Sequence, residues 1–236
     1  MITINDSSRP AEAVLNRLKA LADPEKAAGM AHFAVGGAHT LGISIPTLRA
    51  LAKEIGKSHE LAGELWASGI HEARLLATMI NPPRRVTEAQ LEAWVQDFDS
   101  WDVCDQACNN LFSKTPWAAP KAVEWSGREA EFVKRAGFVL MATLAVHDKQ
   151  AGDESFMAWL RLIQRQAADE RNFVKKAVNW ALRQIGKRNL NLNRLAIQTA
   201  EEMQRLDSKS ARWIAADALR ELTSDRVQQR LRQKAR

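Results

Sequence analysis

Tyrosine is absent from the 236 residues, cysteine occurs twice, and glycine and proline are sparse at 11 and 7. The two cysteines, Cys104 and Cys108, stand one helical turn apart. They are too few for a disulfide framework or a four-ligand zinc site, and they read as reduced, half-buried small side chains. No stretch approaches the ~20 apolar residues of a membrane span, so no membrane partner is expected. The opening residues Met1 to Pro10 lack the basic and apolar regions of a secretory leader, which makes a cytoplasmic location the expectation. His32, His39, His59, His71 and His147 are scattered without metal-ligand spacing. There is no phosphate-cradling Gly-rich loop and no serine-nucleophile elbow, so neither a metal nor a cofactor is expected.

What is present is the composition of a globular protein, 46% hydrophobic and 26% charged. The net charge of +6 is unevenly spread. Residues 1–118 hold 11 Lys and Arg against 14 Asp and Glu, whereas residues 119–236 hold 23 against 14. A basic C-terminal half suits a polyanionic partner, most simply nucleic acid.

The hydrophobic pattern is helical throughout and nowhere alternates as a strand does. Expected helices run from Arg9 to Ala22, Glu25 to Val35, Ser44 to Gly56, His59 to Ala67 and His71 to Ile80. Residues 36–42 read as a loop, and Asn81-Pro82-Pro83 is a hard break. Thr87 to Phe98 opens with a capping box in which Gln90 is the returning partner. Further on the chain repeats itself. Phe132-Val-Lys-Arg-Ala136 returns as Phe173-Val-Lys-Lys-Ala177, 41 residues later, and Ala181-Leu-Arg183 returns as Ala218-Leu-Arg220, 37 residues later. Each copy falls in a long helix, with a shorter helical segment between copies. Helix pairs repeating at about 40 residues mark a HEAT-like α-solenoid. The expected fold is all-α, one domain over residues 1–236 with a concave basic groove, its last ~10 residues frayed.

Two faces carry candidate chemistry. In the segment from Ser100 to Phe112, Ser100 is placed to cap a helix and Asp102 to sit at its positive end. Val103, Ala107, Cys108 and Leu111 share an apolar face, while Trp101 and Asp105, four residues apart, project together from another. Either they pack against and satisfy a neighbouring helix, or they form part of a site. In the segment from Arg171 to Arg188 there are six basic residues and no acidic one. Lys176, Trp180, Arg183 and Lys187 share one side of it, with Lys175 beside them. Trp180 either packs under the next repeat or meets a sugar or base while its neighbours meet phosphates. Arg135 occupies the repeat position of Lys176, with Lys134 adjacent. It is suited to holding a phosphate, or to pairing with Asp105 or Asp102.

Ser-Trp-Asp-Val-Cys-Asp, Phe-Val-Lys-Arg-Ala and Phe-Val-Lys-Lys-Ala-Val-Asn-Trp-Ala-Leu-Arg, in this order and spacing, resemble the HEAT-like-repeat DNA alkylation-repair glycosylases, the AlkD family. Gly42 to Lys53 is similar to that family's N-terminal part, and the likeness covers roughly residues 10 to 225. The resemblance implies a monofunctional glycosylase, expected to act as a monomer on double-stranded DNA near the nucleoid. Its substrates would be cationic purines such as 7-methylguanine and 3-methyladenine. It implies a cleft formed by Asp105, Arg135, Trp101 and Trp180, with a lesion left stacked or only partly displaced. Any tyrosine contact of a relative is replaced or missing here. The chemistry suits the residues: a cationic purine is already a good leaving group, and a carboxylate stabilises the oxocarbenium character of the sugar. Two alternatives remain at this point, a non-catalytic DNA-binding module and a protein-interaction scaffold.

Overall fold

The computed structural model describes residues 10–32, 35 and 39–234. Among these, every regular element is helical. In chain order they are α1 (Pro10–Ala20), α2 (Pro24–Ala31), α3 (Ile45–Ile55), α4 (His59–Ala67), α5 (His71–Ile80), α6 (Glu88–Gln96) and α7 (Trp101–Asn110). Then come α8 (Ala118–Ser126), α9 (Glu131–His147), α10 (Asp153–Gln166), α11 (Asn172–Gly186), α12 (Leu190–Gln204), α13 (Lys209–Leu222) and α14 (Asp225–Lys234). The second helix ends at Ala31, short of the expected Val35, since His32 is a turn and Val35 is not helical. Residues 39–42 are non-helical as expected of the loop, and residues 33–34 and 36–38 lie outside the described residues. No helix among the described residues is long and apolar enough to cross a membrane.

Local chemistry explains many boundaries. Ser44 caps α3 by accepting from the Thr47 amide, Pro46 sits in the first turn, and Gly56 ends the helix at φ 81°. Ser58, Asn189 and Ser208 cap α4, α12 and α13 in the same way. The box at α6 is only half made. Thr87 Oγ1 accepts from the Gln90 amide at 3.2 Å, but the Gln90 side-chain oxygen is buried with no hydrogen-bond partner. Ser100 departs from expectation: its hydroxyl is turned into the protein, 1% exposed, and makes no cap bond to α7.

The helices group into two compact units. The first takes residues up to Leu91 together with 99–111, and the second takes 92–98 and residues from Phe112 onward. In the first, α5 is the central helix, packed by α3, α4 and α7. His71 meets Asp102 and Thr78 meets Asn110, so α5 and α7 run parallel, fastened near both ends.

In the second unit the repeat becomes physical. α9, α11 and α13 lie side by side, and α10 packs on α12. Phe132 and Phe173, the aromatic positions of the two copies, pack with ring centroids 5.5 Å apart. Asn179 donates to Asp217, Arg183 to Glu221, and Gln164 to Glu202, each link spanning 38 residues. A constant offset between bonded residues means that like helices of successive repeats run parallel. The helix between copies is shorter in one repeat and not in the next: α10 has 14 residues between α9 with 17 and α11 with 15, whereas α12 has 15 between α11 with 15 and α13 with 14. α8 and α9 approach at Gly137, where a Cβ would stand 2.4 Å from the Ser126 backbone nitrogen. The C-terminal segment, expected to be frayed, forms α14 and is anchored by buried Val227 and Leu231.

Candidate functional site

Of the eight tryptophans, Trp66, Trp94, Trp125 and Trp159 are core residues. Trp101 and Trp180 are half-buried, so each keeps a surface for a ligand. On α7 the expected apolar face is fully buried through Val103, Ala107, Cys108 and Leu111. Cys104 is fully buried as well, so both cysteines lie deeper than the half-burial expected. With that face committed to the core, Trp101 and Asp105 line an open cleft of 690 Å³ within the first unit. The volume falls in the range of roughly 300–1,000 Å³ typical of sites for small organic groups.

α7 forms one wall of this cleft, adding Asp102, Gln106 and Asn109. Asn109 donates to the Asp105 carbonyl at 2.8 Å. Facing residues come from Gly42 to Ile45, Leu75 and Met30. Among the described lining residues the only cation is Lys26, and its ammonium pairs with Asp23 at 2.7 Å. The carboxylate of Asp105 on this wall suits a guest that carries positive charge.

Two residues that sequence reasoning passed over hold this cleft in shape. Glu72 is fully buried in the first turn of α5 and accepts from three backbone amides of the facing segment. These are Leu41 at 2.8 Å, Gly42 at 2.7 Å and Ile43 at 3.2 Å. The same segment is pinned from the other side, where the Leu41 carbonyl accepts from the Asp23 amide at 2.7 Å. Gly42 is required there: φ is 78°, and a Cβ would lie 2.2 Å from the Asp23 carbonyl oxygen. His71, 4% exposed, bonds through Nε2 to Asp102 Oδ2 at 2.8 Å, while Asp102 Oδ1 is buried without a partner. Asp102 is therefore a strut between α7 and α5 rather than a cap. No local pattern reveals either interaction, because each spans about thirty residues. A buried His-Glu pair opening a helix is the nearest thing to a signal.

Burial alone would pull the His71 pKa down, but the hydrogen bond and charge of Asp102 outweigh it, helped by Glu72 and Asp99, and the net shift is upward. A raised folded-state pKa means that the pair's stabilisation is complete below the unfolded value of ~6.5 and is lost as pH rises through the folded value. Thermal melts across that window should show wild type losing more stability than His71→Asn as pH rises. Parallel curves would show that His71 does not titrate upward.

In the second unit the predicted cations divide sharply. Lys176 is exposed on α11 one turn from Trp180. Lys175 lies over the ring of Trp213 at 5.2 Å. Trp213, 43% exposed on α13, lies outside the repeated Ala218-Leu-Arg220 segment and was not singled out in the sequence. Arg183 is bonded to Glu221 at 2.7 Å, and Lys187 to the same carboxylate at 2.6 Å. The acid-free run from Arg171 to Arg188 is thus partly neutralised by α13, one repeat further on. Lys134 departs from the exposed cation expected: it is 5% exposed, 3.4 Å from Asp169 and 3.1 Å from Gln166. Arg135 is also buried, 6% exposed, and donates to the Phe173 carbonyl at 2.7 Å. Asp169 is held below the usual carboxylate range, chiefly by Arg171 and further by Lys134. No cluster of His, Cys, Asp and Glu among the described residues is arranged to hold a metal ion.

No curated protein matches the chain. A solved structure resembles it with a TM-score of 0.75 at 19% identity, over 90% of this chain and 95% of the other. It is described as a new family of proteins related to the HEAT-like repeat DNA glycosylases with affinity for branched DNA structures. The all-α fold is therefore of the HEAT-like repeat kind. Residues 14–222, nearly the whole of both helical units, match the family described as DNA alkylation repair enzyme, and the chain belongs to that family.

Proposed function

We propose that this protein is a DNA glycosylase that hydrolyses the N-glycosidic bond of cationic alkylated purines in duplex DNA, 7-methylguanine and 3-methyladenine among them. The observation that carries this reading is the cleft in which Trp101 and Asp105 stand together, with no unneutralised cation among its described lining residues. A cationic purine departs without protonation. As its bond to the sugar lengthens, positive charge builds on the anomeric carbon and ring oxygen. Asp105 stabilises that charge and orients the attacking water, which bonds to the anomeric carbon as the C–N pair leaves with the neutral base, and which gives up one proton to the Asp105 carboxylate and so to solvent. The Trp101 ring supplies a π face for the cationic nucleotide. In the second unit, Trp180 contacts the sugar-phosphate backbone, Lys175 and Lys176 neutralise phosphates, and Arg135 orders the turn around Phe173 next to them. No lysine nucleophile takes part, so the strand is left uncut. The protein acts as a monomer without metal or cofactor.

The test is incubation of the protein with methylated duplex DNA and chromatography of the freed bases. Release of 7-methylguanine or 3-methyladenine is expected. A second reading, a DNA-binding module without catalysis, draws on the solved structure described by its affinity for branched DNA. It is selected instead if cationic lesions stay in place while the duplex is bound.

Salt dependence probes the second unit separately. Lys176→Ala should flatten the dependence of duplex affinity on salt by about 0.9 in log–log slope, the loss of one neutralised phosphate. Lys134→Ala should leave the slope unchanged, because that ammonium is occupied within the protein. Equal slopes for Lys176→Ala and wild type would remove Lys176 from the DNA-binding surface.

A further inference from the structure

A second cavity, of 530 Å³, lies in the second unit where the C-terminal ends of α9 and α11 meet α14. Among the described residues five cations line it, Lys149, Lys187, Arg188, Arg230 and Lys234, and no carboxylate does. Only Lys187 has its charge answered, by Glu221 at 2.6 Å. Other acidic groups nearby are engaged elsewhere: Asp148 accepts from the Gln150 and Ala151 amides, and Asp153 accepts from Asn189 and Asn191.

Capping of helix ends explains part of this cluster. Arg188 donates to the Ala145 carbonyl at 3.1 Å and the Ala151 carbonyl at 2.7 Å, with its guanidinium 4.3 Å from the Phe156 ring centroid. Lys149 donates to the Val146 carbonyl, and Arg230 to the Lys187 carbonyl at 3.3 Å. These bonds fix the donors in place. They do not explain Lys234, which α14 carries into the same cavity. Its ammonium is held below the usual lysine range by burial and by the repulsion of Arg230, Lys149 and Arg188. Like charges gathered in one concavity that outnumber the carboxylates around it are the arrangement that an anion relieves.

We propose that this cavity is a phosphate-binding site, seating a backbone phosphate of a nucleic acid between Lys149, Arg188, Arg230 and Lys234. The planar fork of Arg188, already oriented by two carbonyls, and the ammonium groups of Lys149 and Lys234 suit a tetrahedral oxyanion. Assigning the phosphate to DNA rests on the proposed function, whereas the site itself does not.

The experiment uses the full chain and the double variant Lys149→Gln, Lys234→Gln, whose altered side chains are exposed. Calorimetry with inorganic pyrophosphate tests the site. Fluorescence anisotropy with a labelled undamaged duplex, over a range of salt, tests the source. The expected result is at least tenfold weaker pyrophosphate binding by the variant, together with a duplex salt slope shallower by about one to two. Loss of pyrophosphate binding with an unchanged duplex slope would overturn the DNA assignment and leave a free phosphate compound as ligand. Wild-type behaviour of the variant towards both probes would overturn the site. Lesion release is read independently on saturating DNA, so failure of the glycosylase reading leaves both arms interpretable.

Discussion

Replacing Asp105 by asparagine should reduce release of cationic purines by about 10²–10³-fold, with duplex affinity changed less than threefold. The substitution keeps the volume of the side chain and removes one negative charge from the cleft. Charge is what the transition state uses, since the sugar becomes cationic while the departing base becomes neutral. The ground state already carries its positive charge on the base, so a carboxylate placed at the sugar favours the transition state over bound substrate. Affinity for undamaged duplex comes mainly from neutralised phosphates, which a carboxylate does not provide. The variant is therefore expected to bind and not cleave. Full activity in a folded Asp105→Asn protein would place the catalytic charge elsewhere.

Glu72→Ala should have the largest effect on stability. Removing this buried carboxylate strands three amides of Leu41, Gly42 and Ile43 and leaves a void beneath the segment that faces α7. The expected cost is about 3–5 kcal/mol, the range for breaking a buried charged network, and a fall in Tm on the order of 10 °C. Glu72→Gln should fall between, because its amide offers one acceptor oxygen where the carboxylate offers two. Since the segment also walls the cleft, lesion release should fall well below the Tm of the variant. Melting and release that match wild type would show that the Leu41–Ile43 segment is held by other means.

The helices, and the faces they bury, were largely legible in the chain. α4 and α5 begin and end where the hydrophobic periodicity places them. The apolar stripe of α7 left Trp101 and Asp105 on a free side, and the structure opens that side into a cleft. These features depend on residues within a turn or two of one another. What was illegible depends on partners one repeat away. The face of α11 looked uniformly basic because Asp217 and Glu221 stand 38 residues downstream of the groups they meet. Lys134 and Arg135 looked like surface cations, yet α11 and the turn before it cover them, so Asp169 and the Phe173 carbonyl are their partners. Ser100 matched a capping pattern, but the packing around it turned the hydroxyl inward. Glu72 offered only its place beside His71 at the start of a helix, since nothing in its neighbourhood announces the loop amides thirty residues before it.

The central claim is tested most directly by a single-turnover assay on a duplex carrying one 7-methylguanine, with wild type and Asp105→Asn side by side. Freed base and intact abasic strand are measured separately. The account expects wild type to free the base without cutting the strand, and Asp105→Asn to bind the same duplex and free almost none. Binding by both proteins with no base freed by either would contradict it.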